Sequence, residues 1–351
     1  MIIHNHFTGG NIAVKAMDGC HIYLENELRD TMEDWFYWAF CVEGAQGKEL
    51  TFHFQKHRLG YWGPAVSHDL VHWKWLDDCR DDTFTYHFGE DENKVYFAHN
   101  MLYHPDRFAN YAKDMGWTLT ELCKSRKGRS VPCLQLGEGS RSILLTARHH
   151  ACESTGNYVL EGVLEELSKQ LPSDIRIFCV PFVDYDGVVD GDQGKSRAPH
   201  DHNRDYIDSP LYPEVAAIQA YRQEKGIYLG FDFHSPWHKG GENDNIYIVR
   251  NMLEKDSTFD RFADLLEEEI TEDSMAYHKE DDHPALTGWN QPSPNCAYTT
   301  NCRPECSLAF SLESAYFGTA DNKVSQQRLI ALGRCFARTM IRYIALENDN
   351  G

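Results

Sequence analysis

Histidine and carboxylate side chains follow several short apolar runs of this sequence, at the points where those runs end. The segment ARHHACES follows the run Ser142–Thr146, and the segment DFHS follows an apolar run that ends at Phe231. The run Ser307–Glu313 itself ends in a carboxylate. Because short apolar runs bounded by polar clusters are typical of buried strands, we expect these side chains to lie at strand ends.

The residue types and spacing of the first two segments favour a metal site. His150 and Glu153 are three residues apart, so a turn from a strand into a helix can direct both at one ion. Two imidazoles and one carboxylate suit catalytic Zn²⁺ with an open position for water, and His234 is the best third ligand. Two alternatives remain open: His149 could replace His150, or His150 and Glu153 could only cap the helix that follows.

The segment Asp201–Arg204, of sequence DHNR, predicts a site for a carboxylate ligand. The guanidinium of Arg204 can bind a carboxylate with two hydrogen bonds, and the amide of Asn203 adds another donor. Asp201 could orient a zinc-binding histidine from behind. The alternative is a surface turn with a salt bridge.

Glu313 ends an otherwise apolar run, so its carboxylate is expected to be buried. A buried carboxylate needs a charged partner or a chemical role. It could act as the general base on zinc-bound water, or it could form a buried ion pair with Arg303.

The sequence up to about residue 100 has the pattern of short strands separated by turns. These segments are rich in aromatic and β-branched residues, which predicts an antiparallel β-sandwich over residues 1–103. The predicted strands are His21–Leu24, Trp35–Val42, Thr51–Phe54, Trp73–Leu76, Thr83–His87 and Lys94–Phe97. The tryptophans of this part are expected in its core.

From residue 104 to residue 351 strands and helices alternate, which predicts an α/β/α sandwich around a mixed, largely parallel sheet. In such folds active sites form at the carboxyl ends of the strands. The predicted strands are Ser142–Thr146, Ile175–Pro181, Gly226–Phe233, Asn245–Val249 and Ser307–Glu313. The predicted helices are Asp106–Ser125, Val159–Gln170, Pro213–Lys225, Asp260–Ile270 and Ser325–Leu346.

In combination, the motifs of residues 105–351 resemble those of the zinc carboxypeptidases. Four family motifs occur in the family's order, namely H-x-x-E, P-x-x-N-P-D-G with D-x-N-R, D-x-H-S, and a glutamate that ends the last strand. They match His150–Glu153, Pro181–Gly187 with Asp201–Arg204, Asp232–Ser235, and Glu313. The preceding β-rich part, with Gly9–Asn11 and Leu28–Thr31, is similar to the cytosolic carboxypeptidase branch.

The resemblance implies hydrolysis of the C-terminal peptide or isopeptide bond of peptides and proteins. One Zn²⁺ held by His150, Glu153 and His234 would activate water, with Glu313 as general base. Asn203 and Arg204 would bind the terminal carboxylate of the substrate.

The sequence departs from the family at two points, and two further site residues are not fixed by a motif. The D-x-N-R motif has His202 where leucine is usual, and the middle segment has Asp184-Tyr185 in place of N-P. The residue that polarises the scissile carbonyl is expected to be Arg197, with Lys195 as the alternative. Tyr298 is the candidate for the tyrosine that contacts the substrate.

Two other functions stay open at this point. One is a zinc amidase of the aspartoacylase type, acting on N-acyl amino acids, and the other is a binding protein that retains the fold without activity. The preferred terminal residue is also open, although Arg303 could favour an acidic one.

The composition excludes several classes of partner. The 351 residues carry a formal charge of −20, which disfavours nucleic acids and anionic membranes. The sequence contains no apolar run of about 18 residues, and its N-terminus lacks the features of a signal peptide. The 11 cysteines are scattered along the chain, as in reduced proteins. We therefore expect a cytoplasmic protein.

Overall fold

The computed structural model describes residues 1–253, 255–291, 297 and 306–349. Its first hundred residues form two sheets that pack face to face. The five-stranded sheet has the order β1-β4-β9-β6-β7, and the four-stranded sheet has the order β2-β3-β5-β8. The strands are β1 (Ile2–His4), β2 (Ala13–Asp18), β3 (His21–Glu25), β4 (Ala39–Glu43), β5 (Glu49–Phe54), β6 (Ala65–Ser67), β7 (Lys74–Trp75), β8 (Thr83–His87) and β9 (Lys94–Ala98).

Aromatic side chains fill the space between these two sheets. Phe52 and Phe84 come from the four-stranded sheet, and Phe40 and Phe97 come from the five-stranded sheet. Their rings lie with centroids 4.8–5.5 Å apart, and each side chain is almost completely buried. The alternation of buried and half-exposed residues along β5 is what this packing requires. The sandwich has one parallel pair, β3 with β5, where an antiparallel arrangement was expected.

Residues from 119 onward form a seven-stranded mixed sheet of order β10-β11-β13-β12-β14-β16-β15. The four central strands are parallel, and the outer strands β10, β11 and β15 are antiparallel to their neighbours. The strands are β10 (Leu119–Lys124), β11 (Ser130–Leu136), β12 (Arg141–Ala147), β13 (Ile175–Val180), β14 (Leu229–His234), β15 (Ile246–Val249) and β16 (Leu308–Ser314).

Helices cover both faces of this sheet, so the predicted α/β/α fold is confirmed. Ile143 and Leu145 of β12 pack into the core that α2, α5 and α6 share, whereas Leu144 faces α4. Gly162 and Gly333 allow the backbones of α2 and α6 to touch, because a Cβ on Gly162 would lie 2.0 Å from a carbonyl oxygen of α6. The helices are α1 (Pro105–Asp114), α2 (Thr155–Lys169), α3 (Tyr185–Asp190), α4 (Pro213–Lys225), α5 (Asp256–Glu269) and α6 (Gln326–Asp349).

One predicted helix is wrong in its second half. The helix expected over Asp106–Ser125 ends at Asp114, and Leu119–Lys124 forms strand β10 instead. Gly116, with φ of 71°, reverses the chain direction after the helix. Strand β10 then pairs with β11, a strand that the sequence did not predict.

The parallel strands β12, β14 and β16 bring the polar segments together. Ala147 is aligned with Phe233, and His234 is aligned with Glu313 in the next strand. The three strands therefore end at the same edge of the sheet. No helix in the described part of the chain is long and apolar enough to cross a membrane. The expected boundary between residues 103 and 104 stays a prediction.

Candidate metal centre and adjoining cavity

His150, Glu153 and His234 converge at the carboxyl edge of the seven-stranded sheet. His150 and Glu153 lie in the turn between β12 and α2, where Arg148 takes a positive φ of 62°. His150 Nδ1 is 2.9 Å from Glu153 Oε1, and His234 Nδ1 is 2.7 Å from Glu153 Oε2. The three donor atoms lie within 4.8 Å of one another, as ligands of one ion must.

A carboxylate lies behind each of the two imidazoles. His234 Nε2 is 2.7 Å from Asp232 Oδ2, and His150 Nε2 is 3.7 Å from Asp201 Oδ1. Burial raises the pKa of Asp201, but His150 and Arg204 outweigh burial and hold it below its usual value. A carboxylate hydrogen-bonded to Nε2 fixes the tautomer that leaves Nδ1 free to bind a metal, and Asp232 is in that position for His234. The donor set and its surroundings therefore fit a zinc ion.

His149, Asp232 and His234 form a second group of converging donors, but it is enclosed. His149 has no exposed surface, and its two nitrogens lie 2.9 Å from Asp232 Oδ1 and 2.8 Å from the hydroxyl of Tyr206. Neither His149 nor Asp232 lines the adjoining cavity, whereas His150, Glu153 and His234 do. His149 thus hydrogen-bonds to Asp232, and Asp232 in turn hydrogen-bonds to His234.

Lys195 supplies a positive charge beside Glu153. Its ammonium nitrogen is 2.5 Å from Glu153 Oε1 and lies 4.7 Å from the centre of the Trp35 ring. Burial alone would raise the pKa of Glu153, but Lys195 and the two histidines lower it well below its usual value. Glu153 is therefore ionised and surrounded by cationic groups, which is the environment that a divalent cation would also create.

A cavity of about 540 Å³ opens beside these donors. Its polar wall combines the candidate metal ligands with the predicted substrate-binding and catalytic groups. It includes His150, Glu153, His234, Lys195, Asp201, Asn203, Arg204 and Glu313. Its remaining wall includes Trp35, Trp237, Glu242, Tyr247, Trp289 and Asn290.

Glu313 lies at the carboxyl end of β16, beside His234. It is 8% exposed, and its Oε2 atom has no hydrogen-bond partner among the described residues. Burial, supported by the charge of Glu153, raises the pKa of Glu313 to about 7 although His234 and Lys195 oppose this rise. A carboxyl group with this pKa can both accept and donate a proton near neutral pH.

Asn203 and Arg204 lie in a short 3₁₀ helix on the cavity wall. Asn203 Oδ1 accepts a hydrogen bond of 3.0 Å from the backbone of Ala297. The side chain of Arg204 is exposed, and no carboxylate of the described residues lies within ion-pairing distance of it. Its guanidinium is therefore available to an anionic ligand.

Arg197 does not reach this cavity, which corrects the prediction for it. Its guanidinium contacts three carboxylates, at 3.0 Å from Asp30, 2.7 Å from Asp184 and 3.0 Å from Asp192. Asp30 also accepts hydrogen bonds from the backbone nitrogens of Gln193 and Gly194. Arg197 thus joins the first hundred residues to the loop that carries Lys195, and Lys195 rather than Arg197 lines the cavity.

Two other residues of the sequence analysis lie outside the described residues, namely Tyr298 and Arg303. Several cavity residues were not predicted from the sequence. Trp35 was expected in the core of the sandwich, yet it lies in the loop before β4 and contacts Ser196 through its indole nitrogen. Glu242 also lines the cavity, where it accepts a hydrogen bond from the indole nitrogen of Trp289, and no motif indicated Glu242.

No family model matches the chain. The uncharacterized protein ZMO1242 of Zymomonas mobilis is 31% identical over 254 residues, which are 66% of this chain and 67% of that protein. Human cytosolic carboxypeptidase 2 is 27% identical over 56% of this chain, and human cytosolic carboxypeptidase 6 is 23% identical over 76% of it. The chain spans 25% of the length of the first human protein and 58% of the second.

Solved metallo-carboxypeptidases share the fold over nearly the whole chain. The enzyme from Burkholderia cenocepacia superimposes with a TM-score of 0.81 at 18% identity, covering 98% of this chain and 99% of that one. The enzyme from Pseudomonas aeruginosa, in complex with (2-guanidinoethylmercapto)succinic acid, gives 0.81 at 21% identity over the same shares. These likenesses define the fold of a metallo-carboxypeptidase. With its sequence relatives, the chain belongs to the zinc carboxypeptidase family of enzymes, in the cytosolic carboxypeptidase-like branch.

Proposed function

We propose that this protein is a zinc-dependent carboxypeptidase that removes the C-terminal residue of peptides or proteins. The observation that carries the proposal is the position of Glu153 between the Nδ1 atoms of His150 and His234. This group borders a cavity that also holds Glu313 and Arg204. One ion, a base and a carboxylate-binding cation are what hydrolysis at a free C-terminus requires.

His150, Glu153 and His234 would hold the ion, with Asp201 and Asp232 behind the two imidazoles. Zinc bound there would supply an activated water and polarise the scissile carbonyl. Glu313 Oε2 takes a proton from the attacking water, and the same carboxyl group then delivers that proton to the leaving amine. Its lack of another partner and its pKa of about 7 support both steps.

Arg204 and Asn203 would bind the terminal carboxylate, which confines cleavage to the last residue. Lys195 would stabilise negative charge on the carbonyl oxygen, in place of Arg197. Its nitrogen lies 2.5 Å from Glu153 Oε1, on the wall of the same cavity. Tyr298 stays a predicted substrate contact.

Peptide or protein C-termini are the proposed partners, and the named cytosolic relatives support a cytoplasmic location. The ligand named for the Pseudomonas aeruginosa enzyme carries carboxylates and a guanidine, so it is a suitable first competitor for the Arg204 site. The residue removed is best found by profiling a peptide library.

The test is hydrolysis by zinc-loaded protein of matched peptides with a free or an amidated C-terminus. We expect release of the last residue from the free peptides only, and loss of this activity after treatment with a chelator. Activity on N-acyl amino acids without peptide cleavage would instead support an amidase. Absence of both activities in protein that holds zinc at this centre would contradict the proposal.

A further inference from the structure

Three donor side chains of different chemistry meet on the five-stranded sheet, outside the centre described above. His4 of β1 is directly opposite Cys41 of β4, and Glu43 lies two residues further along β4 on the same face. The nitrogen, sulfur and oxygen atoms that these side chains offer lie within 4.8 Å of one another.

The carboxylate of Glu43 faces both His4 and a competing cation. His4 Nε2 is 3.4 Å from Glu43 Oε1, and the ammonium of Lys94 is 2.9 Å from the same oxygen. These two neighbours lower the pKa of Glu43, so its carboxylate is ionised at neutral pH. A bound cation would replace Lys94 as the partner of Glu43, and the exposed side chain of Lys94 can turn to solvent.

The sulfur of Cys41 completes the group from the buried side. Cys41 has no exposed surface and forms no disulfide, and Tyr96 of β9 lies opposite it on the other side. Burial raises the pKa of its thiol to about 12. Metal binding must therefore displace the thiol proton into solvent as the sulfur–metal bond forms.

The imidazole of His4 needs one adjustment to bind an ion. His4 Nδ1 accepts a hydrogen bond of 3.2 Å from the backbone of His6, so in the neutral ring Nε2 carries the proton. Binding through Nε2 moves that proton to Nδ1 and returns the exposed amide of His6 to water. This hydrogen bond is exposed, so its loss is a small cost.

We propose that His4, Cys41 and Glu43 form a second metal site, separate from the catalytic one, for a borderline-soft ion such as zinc. A thiolate, an imidazole and a carboxylate are zinc ligands, whereas magnesium and calcium require oxygen atoms alone. Solvent would complete the coordination on the side of Glu43.

An ion at this position joins the edge strand β1 to β4. The chain that follows β1 contacts the end of α3, where Gly9 donates to the carbonyl of Val189 and Asn11 Nδ2 donates to that of Gly191. The site would therefore stabilise the edge of the five-stranded sheet and the segment that rests against the catalytic half of the chain.

The test is titration of chelator-treated full-length protein with Co²⁺, followed by its absorption spectrum. The catalytic donors are nitrogen and oxygen only, so a thiolate-to-cobalt charge-transfer band reports on a cysteine ligand alone. We expect two equivalents of Co²⁺ to bind and this band to appear. The Cys41→Ala and His4→Gln variants should each lose one equivalent and the band.

Two controls separate this site from the others. Cys20→Ser changes an exposed cysteine and should leave the band intact, and Glu153→Gln should remove the catalytic equivalent while the band persists. Binding of a single equivalent without the band would overturn the proposal, as would a band that survives in Cys41→Ala. If the Cys41→Ala protein does not fold, the His4→Gln variant tests the proposal by the same two readouts, the number of Co²⁺ equivalents and the charge-transfer band. His4 lies on an edge strand, where a substitution disturbs folding less.

Discussion

The carboxyl edge of the seven-stranded sheet and the interior of the N-terminal sandwich are both buried, but they are built in opposite ways. The sandwich interior contains stacked aromatic rings such as Phe52 and Phe97. The sheet edge contains Glu153, Lys195 and Glu313, charged groups that removal from water makes costly. The comparison indicates that the sandwich interior stabilises the fold, whereas the sheet edge bears a cost in stability that the proposed chemistry explains.

Replacing the proposed base, Glu313, should lower turnover without lowering the stability of the fold. Glu313→Gln keeps the size of the side chain but cannot accept a proton, so we expect turnover to fall about 100- to 10,000-fold. Zinc content and the melting temperature should stay close to those of the unchanged protein. Turnover is measured on a free-carboxylate peptide, and near-normal turnover would remove Glu313 from the mechanism.

A substitution that leaves a cavity in the sandwich interior should lower the stability of the protein and leave zinc binding unchanged. Phe97 is fully buried and packs against several rings of that interior, so Phe97→Ala should lower the free energy of unfolding by about 3–5 kcal/mol. Urea unfolding measures this loss, with exposed Tyr23→Ala as the control. Loss of zinc from the folded Phe97→Ala protein would contradict a separation of the two roles.

The carboxylate-binding cation should influence substrate binding more than stability. Arg204 is exposed and unpaired within the described residues, so Arg204→Ala should raise KM for free-carboxylate peptides about 10- to 100-fold, the range of a charged hydrogen bond. The comparison of KM for free and amidated peptides checks this. An unchanged preference for the free carboxylate would exclude Arg204 from this role.

The contact between the two regions can be tested at Asp30. Asp30 holds Arg197 and the backbone of Gly194 beside Lys195, so Asp30→Asn should lower kcat about tenfold with a small change in KM. Glu33→Gln is the matched control, because the exposed Glu33 side chain accepts a hydrogen bond from Ser196, which lies in the same loop as Lys195. Equal effects of the two substitutions on kcat would indicate that Asp30 does not position the loop that carries Lys195.

The sequence predicted those parts of the site that depend on strand ends. The parallel strands bring His150, Glu153, His234 and Glu313 to one edge, and the motif spacing was sufficient to expect this. Positions set by distant partners were less predictable. Arg197 and Lys195 are two residues apart, yet Arg197 forms ion pairs with three carboxylates, whereas Lys195 lines the cavity.

Partners that are distant in the sequence also explain the errors in the predicted fold. Strand β10 has no fully buried residue, so its apolar pattern did not distinguish it from a continued helix. Its pairing with β11 decided its structure, and pairing between strands is not encoded in local spacing. Trp35 likewise has a strand-like sequence context, but its contact with Lys195 depends on how the two halves of the chain meet.

The most direct test of the central claim is an anomalous diffraction map at the zinc edge from crystals of the zinc-loaded protein. At the carboxyl edge of the seven-stranded sheet we predict a peak about 2.0–2.2 Å from the Nδ1 atoms of His150 and His234 and from the carboxylate of Glu153. A peak between His149 and Asp232 instead, or none at this edge of the sheet, would contradict the account.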